Sequence, residues 1–163
     1  MSDLISVRVS ETGANPFAVM IDMAAHRLVG DEPVAAGGAD LRPSPYQVLT
    51  AALAECTAMT VRLYARWKNW PVAHIAVDVT HEKAAVEGQR GLFDIFHKTV
   101  DIRGAALTSE QHARLIDVAG KCPVHRTLES TPSTSTVAAA IQQRSTNSAN
   151  ALEASSARVS VPH

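Results

Sequence analysis

Cysteine is scarce: Cys56 and Cys122 are the only two in 163 residues. That is too few for the disulfide framework of a small secreted domain, and a reducing compartment would keep a merely structural pair reduced. If the two pair at all, the pairing cycles. Metal-site spacing is missing as well. The chain has seven histidines but no C-x-x-C or H-x-x-x-H, the ligand pairs that four-coordinate zinc sites usually display. Cys122 and His125, at i and i+3, come nearest to one. Charge of neither sign is in excess, with 15 basic against 16 acidic residues. No basic face stands out, which removes the electrostatic footprint of a nucleic-acid binder. No unbroken apolar run approaches the roughly 18 residues of a membrane span, and the opening MSDLISVRVS lacks both the basic and the apolar region of a signal peptide. A soluble, cytoplasmic chain is expected, with no nucleic-acid or membrane partner.

What is present is a hydrophobic fraction of 46%, enough to cover the core of one compact domain. LISVRV alternates Ile5, Val7 and Val9 with polar residues, and FAVMIDMAAHRLV follows Asn15-Pro16, so the chain opens with strands. Residues 30–44, rich in Gly and Pro and without hydrophobic period, form a loop long enough to suggest a functional one. Ser44, Pro45 and Gln47 then make an S-x-x-Q capping box with proline preset at the first helical position. The helix they open is expected to reach about residue 68, before Pro71, with Leu49, Leu53, Cys56, Met59 or Thr60, and Leu63 as its apolar stripe.

Beyond it, HIAVDVT and FHKTVDIRG alternate as two strands joined by AAVEGQRG. A second capping box, Thr108-x-x-Gln111, starts a helix on which Leu115, Ala119 and Cys122 share a face, and Pro123 ends or kinks that helix at the cysteine. TSTVAAAI reads as a last strand. The Ser/Ala/Asn-rich residues 143–163 lose their period and read as a disordered tail, leaving 1–142 as the domain. The order of elements indicates an α+β fold with a mainly antiparallel sheet.

Three readings of the thiols stand side by side. A cysteine on an apolar helical stripe is most often core filling, the Cys122–His125 spacing suits a shared metal, and a catalytic thiol needs a stabilised thiolate, since a free cysteine titrates near ~8.5. Cys56 lies too far along its helix for the N-terminal dipole to help. A cation must come from elsewhere, and Arg27 and Arg42 are the candidates.

The segment DEPVAAGGADLRPSPYQVLTAALAECTAMTVRLYARWKNWPV, followed by AGKCPVHRTLES, resembles the OsmC/Ohr family of osmotically inducible protein C and organic hydroperoxide resistance proteins. It is most similar to the OsmC-like branch with P-Y-E-L-L-x-A-A-L-G-A-C-T-A-M-T and C-P-V-H-R-T-L. The likeness spans about residues 26–130. It implies an intertwined homodimer, with antiparallel sheets wrapped around long central helices. It also implies reduction of organic, including fatty-acid, hydroperoxides without metal or other cofactor. By the same likeness Cys56 matches the peroxidatic thiol and Cys122 the resolving one. The implied cycle runs from thiolate to sulfenic acid to disulfide, and an external dithiol or lipoyl-type reductant restores the thiols.

The chain departs from the family pattern in places. The family's peroxidases hold their activating arginine with a glutamate ten residues before the first cysteine, where this chain has Tyr46. The residue after it is the uncharged Gln47, and no arginine stands in the matching N-terminal region SETGANPF. Glu55 occupies a position that is small in the family motif. There it either tolerates solvent, disfavours the neighbouring thiolate, or holds an arginine in the glutamate's stead. His125 lies one turn after Cys122 and either packs or supports that thiolate. These departures keep a second reading open, of a noncatalytic ligand-binding or thiol redox-sensing protein with the same fold.

Overall fold

The computed structural model describes residues 4–88 and 90–139. Strands β1 (Arg8–Glu11), β2 (Val19–Met23) and β3 (His26–Gly30) form an antiparallel meander in that order. Asn15 shapes the first connection, its Oδ1 accepting from the amides of Phe17 and Ala18 at 2.8 and 2.7 Å. The Gly/Pro-rich loop that follows contains one short 3₁₀ turn, Val34–Ala36, and is organised by Asp31. This buried carboxylate accepts from the amides of Glu32, Ala39 and Leu41 and from the Asn15 side chain.

Helix α1 (Pro45–Trp67) begins where the capping box places it. The Ser44 amide donates to Gln47 Oε1 at 2.8 Å, and the Gln47 amide donates back to Ser44 Oγ at 3.4 Å, satisfying two of the donors that a helix start leaves free. By length and composition α1 is apolar enough to cross a membrane, although no unbroken apolar run in it is that long. Here it is the central helix of the fold, packed on β4, α2 and α3.

Strands β4 (His74–Ala85) and β5 (Leu92–Arg103) pair antiparallel without interruption, from His74↔Arg103 to Ala85↔Leu92. Each extends beyond its alternating apolar segment, because ladder hydrogen bonds continue through the polar residues near the turn. α2 (Ser109–Ala119) has its Thr108–Gln111 capping box complete. Val61, Ala65, Ile102, Leu115 and Ala119 form the core, with Tyr64, Trp70, Ile75 and Val100 against it.

Three expectations are corrected. Cys122 is not on the face of α2, which ends at Ala119; it is the extended N-cap of a separate helix, α3 (Pro123–Glu129), because the residue before proline is pushed out of the helical region. The stripe α1 buries in this chain is Leu53, Thr57, Val61 and Ala65, whereas Leu49, Met59 and Leu63 are exposed. Residues 131–139 carry no regular structure, so most of TSTVAAAI is not a strand. The tail proposed at 143–163 lies outside the described residues.

Candidate functional site

The two cysteines, far apart in sequence, meet where α1 passes the start of α3. Thr57, the residue after Cys56, points inward and is fully buried with Cys122. Its Oγ1 lies 3.4 Å from Cys122 Sγ and donates to the Leu53 carbonyl at 2.8 Å. A helical threonine of this kind returns its hydroxyl proton to the carbonyl four residues back, leaving its lone pairs free to accept. One faces the Cys122 thiol. The other faces Lys98 of β5, whose Nζ lies 3.5 Å from Thr57 Oγ1 and donates to the Ala119 carbonyl at 2.8 Å. On its far side, Cys122 Sγ accepts from the His125 amide at 3.4 Å.

Burial alone pushes the Cys122 thiol up, since a charge is costly out of water. The Thr57 hydroxyl, the His125 amide, the Cys56 thiol and the Lys98 charge together outweigh it and hold the thiol below its ordinary range. Both cysteines are free thiols, Cys122 fully buried and Cys56 only partly so. Of the pair, Cys56 is the residue with surface open to solvent.

The supporting residues are distributed elsewhere. Arg27 is exposed and paired with Asp22 at 2.7 Å, and Arg42 turns back to its own loop, donating to the Leu41 carbonyl at 2.6 Å. Among the described residues no arginine bonds either sulfur. Glu55 faces solvent. The His125 ring leans along α3 to Glu129, Nε2 to Oε1 3.0 Å; its backbone rather than its imidazole serves Cys122.

Tyr46 stacks on His81 with ring centroids 4.4 Å apart and planes 9° from parallel. Nearby, Asp94 accepts from His81 and from Lys83, at 2.8 and 2.7 Å. Those contacts hold the Asp94 carboxyl below the usual carboxylate range, Lys83 being the main cause. Tyr46 and His81 border an open groove of about 500 Å³ between α1 and β4, lined also by Thr50, Ala54 and Val77.

Thr57 and Lys98 were not among the residues singled out from sequence. The signal for Lys98 was present. Phe96, Val100 and Ile102 alternate on the inward face of β5, and Lys98 occupies the same parity, a charge where the pattern demands an apolar residue. Thr57 carried a weaker signal, as the polar member of an i, i+4 series with Leu53 and Val61.

This arrangement of elements has close counterparts among solved structures. The chain superposes on an OsmC-like protein from Mycoplasma pneumoniae with a TM-score of 0.61 and 20% identity, covering 79% of this chain and 89% of that one. An organic hydroperoxide resistance protein OsmC from Legionella pneumophila gives 0.59 and 17%, over 78% and 91%. An organic hydroperoxide resistance protein from Elizabethkingia anophelis gives 0.58 and 18%, over 78% and 90%. No curated protein matches the chain. The family model for OsmC-like protein matches residues 37–137, a span that takes in both cysteines, Thr57 and Lys98. With that match over most of the chain, the antiparallel α+β fold and the solved counterparts, the chain belongs to the OsmC-like protein family.

Proposed function

We propose that this protein reduces organic hydroperoxides with Cys56 and Cys122 as a redox pair. One observation carries the reading: Cys56 and its neighbour Thr57 are brought against Cys122, so an accessible thiol stands beside a buried, stabilised one. In the proposed cycle the Cys56 thiolate attacks the outer peroxide oxygen, and the O–O bond breaks to give a sulfenic acid and an alcohol. The Cys122 thiolate then attacks the Cys56 sulfur, expelling hydroxide, which leaves as water, and forming the disulfide. An external dithiol, for which a lipoyl group is the proposed form, reduces that disulfide and becomes oxidised in its place. These steps use sulfur chemistry alone and need neither a metal nor an organic cofactor.

The working form we propose is a homodimer. α1 presents Met59, Leu63 and Trp67 to solvent, with Leu49 on the same side nearer its start, an exposed apolar row of the kind that marks an interface. The β1–β3 sheet, too, exposes Val9, with Val7 and Phe17 exposed beside it, and shares no extensive packing with the described helices of its own chain.

The test is to titrate the reduced protein with one equivalent of cumene hydroperoxide. Loss of both thiols with a Cys56–Cys122 bond located by mass spectrometry, followed by turnover with a dithiol, is the expected result. Thiols that survive excess peroxide overturn it. Tyr46 in the glutamate position and the distant pairings of Arg27 and Arg42 favour a second reading, a noncatalytic ligand-binding or redox-sensing protein. Disulfide formation without turnover selects the sensor, and inert thiols with ligand binding select the binder.

A further inference from the structure

The reading just given assigns no step to Thr57 or Lys98, although Thr57 lies against the buried sulfur and Lys98 bonds the Thr57 hydroxyl. We infer that Lys98 and Thr57 are positioning residues that make Cys122 the leaving sulfur when the disulfide is reduced, so that the external thiol bonds to Cys56. The inference rests on the proposed pairing of Cys56 with Cys122, but concerns the opening of that bond rather than its formation by peroxide.

The geometry gives two independent reasons. Access is one-sided, since Cys122 has no exposed surface and Cys56 is partly exposed. Charge stabilisation is one-sided in the opposite sense. From β5, Lys98 is tied to Thr57 Oγ1 and to the last carbonyl of α2. From α1, Thr57 places its hydroxyl 3.4 Å from the sulfur, and from α3 the His125 amide donates to it. Of the other titratable groups, Cys56 also acts on this sulfur, while the His125 ring is turned to Glu129 and Lys121 to Asp117.

In thiol–disulfide exchange the better-stabilised thiolate is the better leaving group, and the reachable sulfur is the one attacked. The two asymmetries therefore select one reaction. A reductant thiolate bonds to Cys56 Sγ, the Cys56–Cys122 bond breaks, and its electron pair leaves on Cys122. As that charge arrives, the Thr57 hydroxyl can rotate from the Leu53 carbonyl toward the sulfur while Lys98 holds its oxygen. The second thiol of a dithiol then attacks its own sulfur in the mixed disulfide. Cys56 is released, the reductant leaves as a disulfide, and the dithiol's two protons pass to the cysteines or to water.

The experiment forms the disulfide in the full chain with diamide, which needs no peroxide, and opens it with one equivalent of 2-mercaptoethanol. After acid quench and alkylation, peptide mass spectrometry locates the adduct. The expected result is 2-mercaptoethanol on Cys56 and alkylation on Cys122, which requires no variant to fold. Lys98→Met is expected to slow opening by roughly tenfold and to spread the adduct over both sulfurs, while Lys98→Arg restores the preference. In a Cys56→Ser background, where Cys122 is the only thiol, Lys98→Met should move the ultraviolet thiolate titration to higher pH.

A wild-type adduct on Cys122, or Lys98→Met opening at the wild-type rate with the wild-type product, overturns the inference. If the adduct lies on Cys56 but cumene hydroperoxide consumes no thiol, the peroxidase reading fails and this one stands. If peroxide is turned over and the adduct lies on Cys122, the reverse holds. Failure of diamide to form the bond removes both.

Discussion

Two apolar stripes run along α1 and meet opposite fates. Leu53, Thr57, Val61 and Ala65 are at most 1% exposed, whereas Met59 and Leu63 are 61% and 70% exposed. The buried stripe is built of smaller side chains after Leu53, which lets α2 and α3 approach the helix closely. The outer stripe carries the larger ones and ends in Trp67. A helix apolar on both sides serves two interfaces, and the described residues supply the partner for only one. Cys56, seven residues from both Leu49 and Leu63, lies in the outer row and is only partly exposed. Its reactivity therefore depends on the inner packing that brings Cys122 near and on whatever the outer face meets.

Substitutions within the inner stripe should have the largest effect. Leu53 is 1% exposed, and Leu53→Ala is expected to cost about 2–5 kcal/mol of stability, the usual range for a buried leucine with its cavity, read by urea unfolding. A loss below about 1 kcal/mol would mean the packing of α1 on its neighbours is loose, and the contrast between the faces would collapse.

The outer stripe should respond in assembly rather than in fold. Leu63→Lys places a charge in the proposed interface, so sedimentation should show a dimer for the wild type and a monomer for the variant, with helical content retained. A wild-type chain that is monomeric at micromolar concentration would leave the outer stripe as ordinary surface.

The way the two faces were read from sequence shows how far pattern reaches. The helix starts at Ser44 and Thr108 were legible because capping boxes are local: the partners lie three residues apart, and no tertiary contact is required. The antiparallel hairpin was legible from alternation at Ile75, Val77 and Val79. Which side of α1 this chain buries was not, because periodicity locates an apolar face without naming what covers it, and α1 has nearly two such faces. Cys122 was put on a helix face by its spacing from Leu115, yet Pro123 imposes an extended backbone there and starts a new helix. At the site, both cysteines could be picked out, but Thr57, which lies against Cys122, and Lys98, which bonds Thr57, could not. Thr57 meets Cys122, and Lys98 meets Thr57, only after a helix and a strand distant in sequence come together, although Lys98 at an inward-facing position was a visible anomaly.

A smaller effect is expected at Asp31, which orders the loop leading into α1. Burial works against its charge, but the amides of Glu32, Leu41 and Ala39 and the Asn15 side chain outweigh it and hold the carboxyl below the usual carboxylate range. A folded value below the unfolded one, ~3.9, means that this contribution is fully present above that pH and is lost as pH falls through the folded value. Asp31→Asn should therefore lower stability at neutral pH and flatten its fall as the pH drops into the acid range below the ordinary carboxylate value. An acid limb identical to wild type would show that the loop is held by other contacts.

The smallest effect should come from Glu55, the residue beside Cys56 whose charge the sequence made conspicuous. Successive residues on a helix point about 100° apart, so adjacency along the chain does not put the carboxylate over the sulfur. The inner face of α1 belongs to Thr57 on the other side of Cys56, and Glu55 faces water. A solvated charge acts through a high dielectric and is screened within about 10 Å at moderate salt. Glu55→Ala is thus expected to speed alkylation of Cys56 at neutral pH by less than about twofold, with the difference fading as salt is added. The direction follows from removing a negative charge near a developing thiolate, and the small size follows from exposure. An acceleration of about tenfold or more that survives high salt would require the carboxylate to be desolvated against the sulfur. In this chain alone it is not, so that outcome would place Glu55 under the surface that covers the outer stripe and would make the partner of α1 a determinant of Cys56 reactivity.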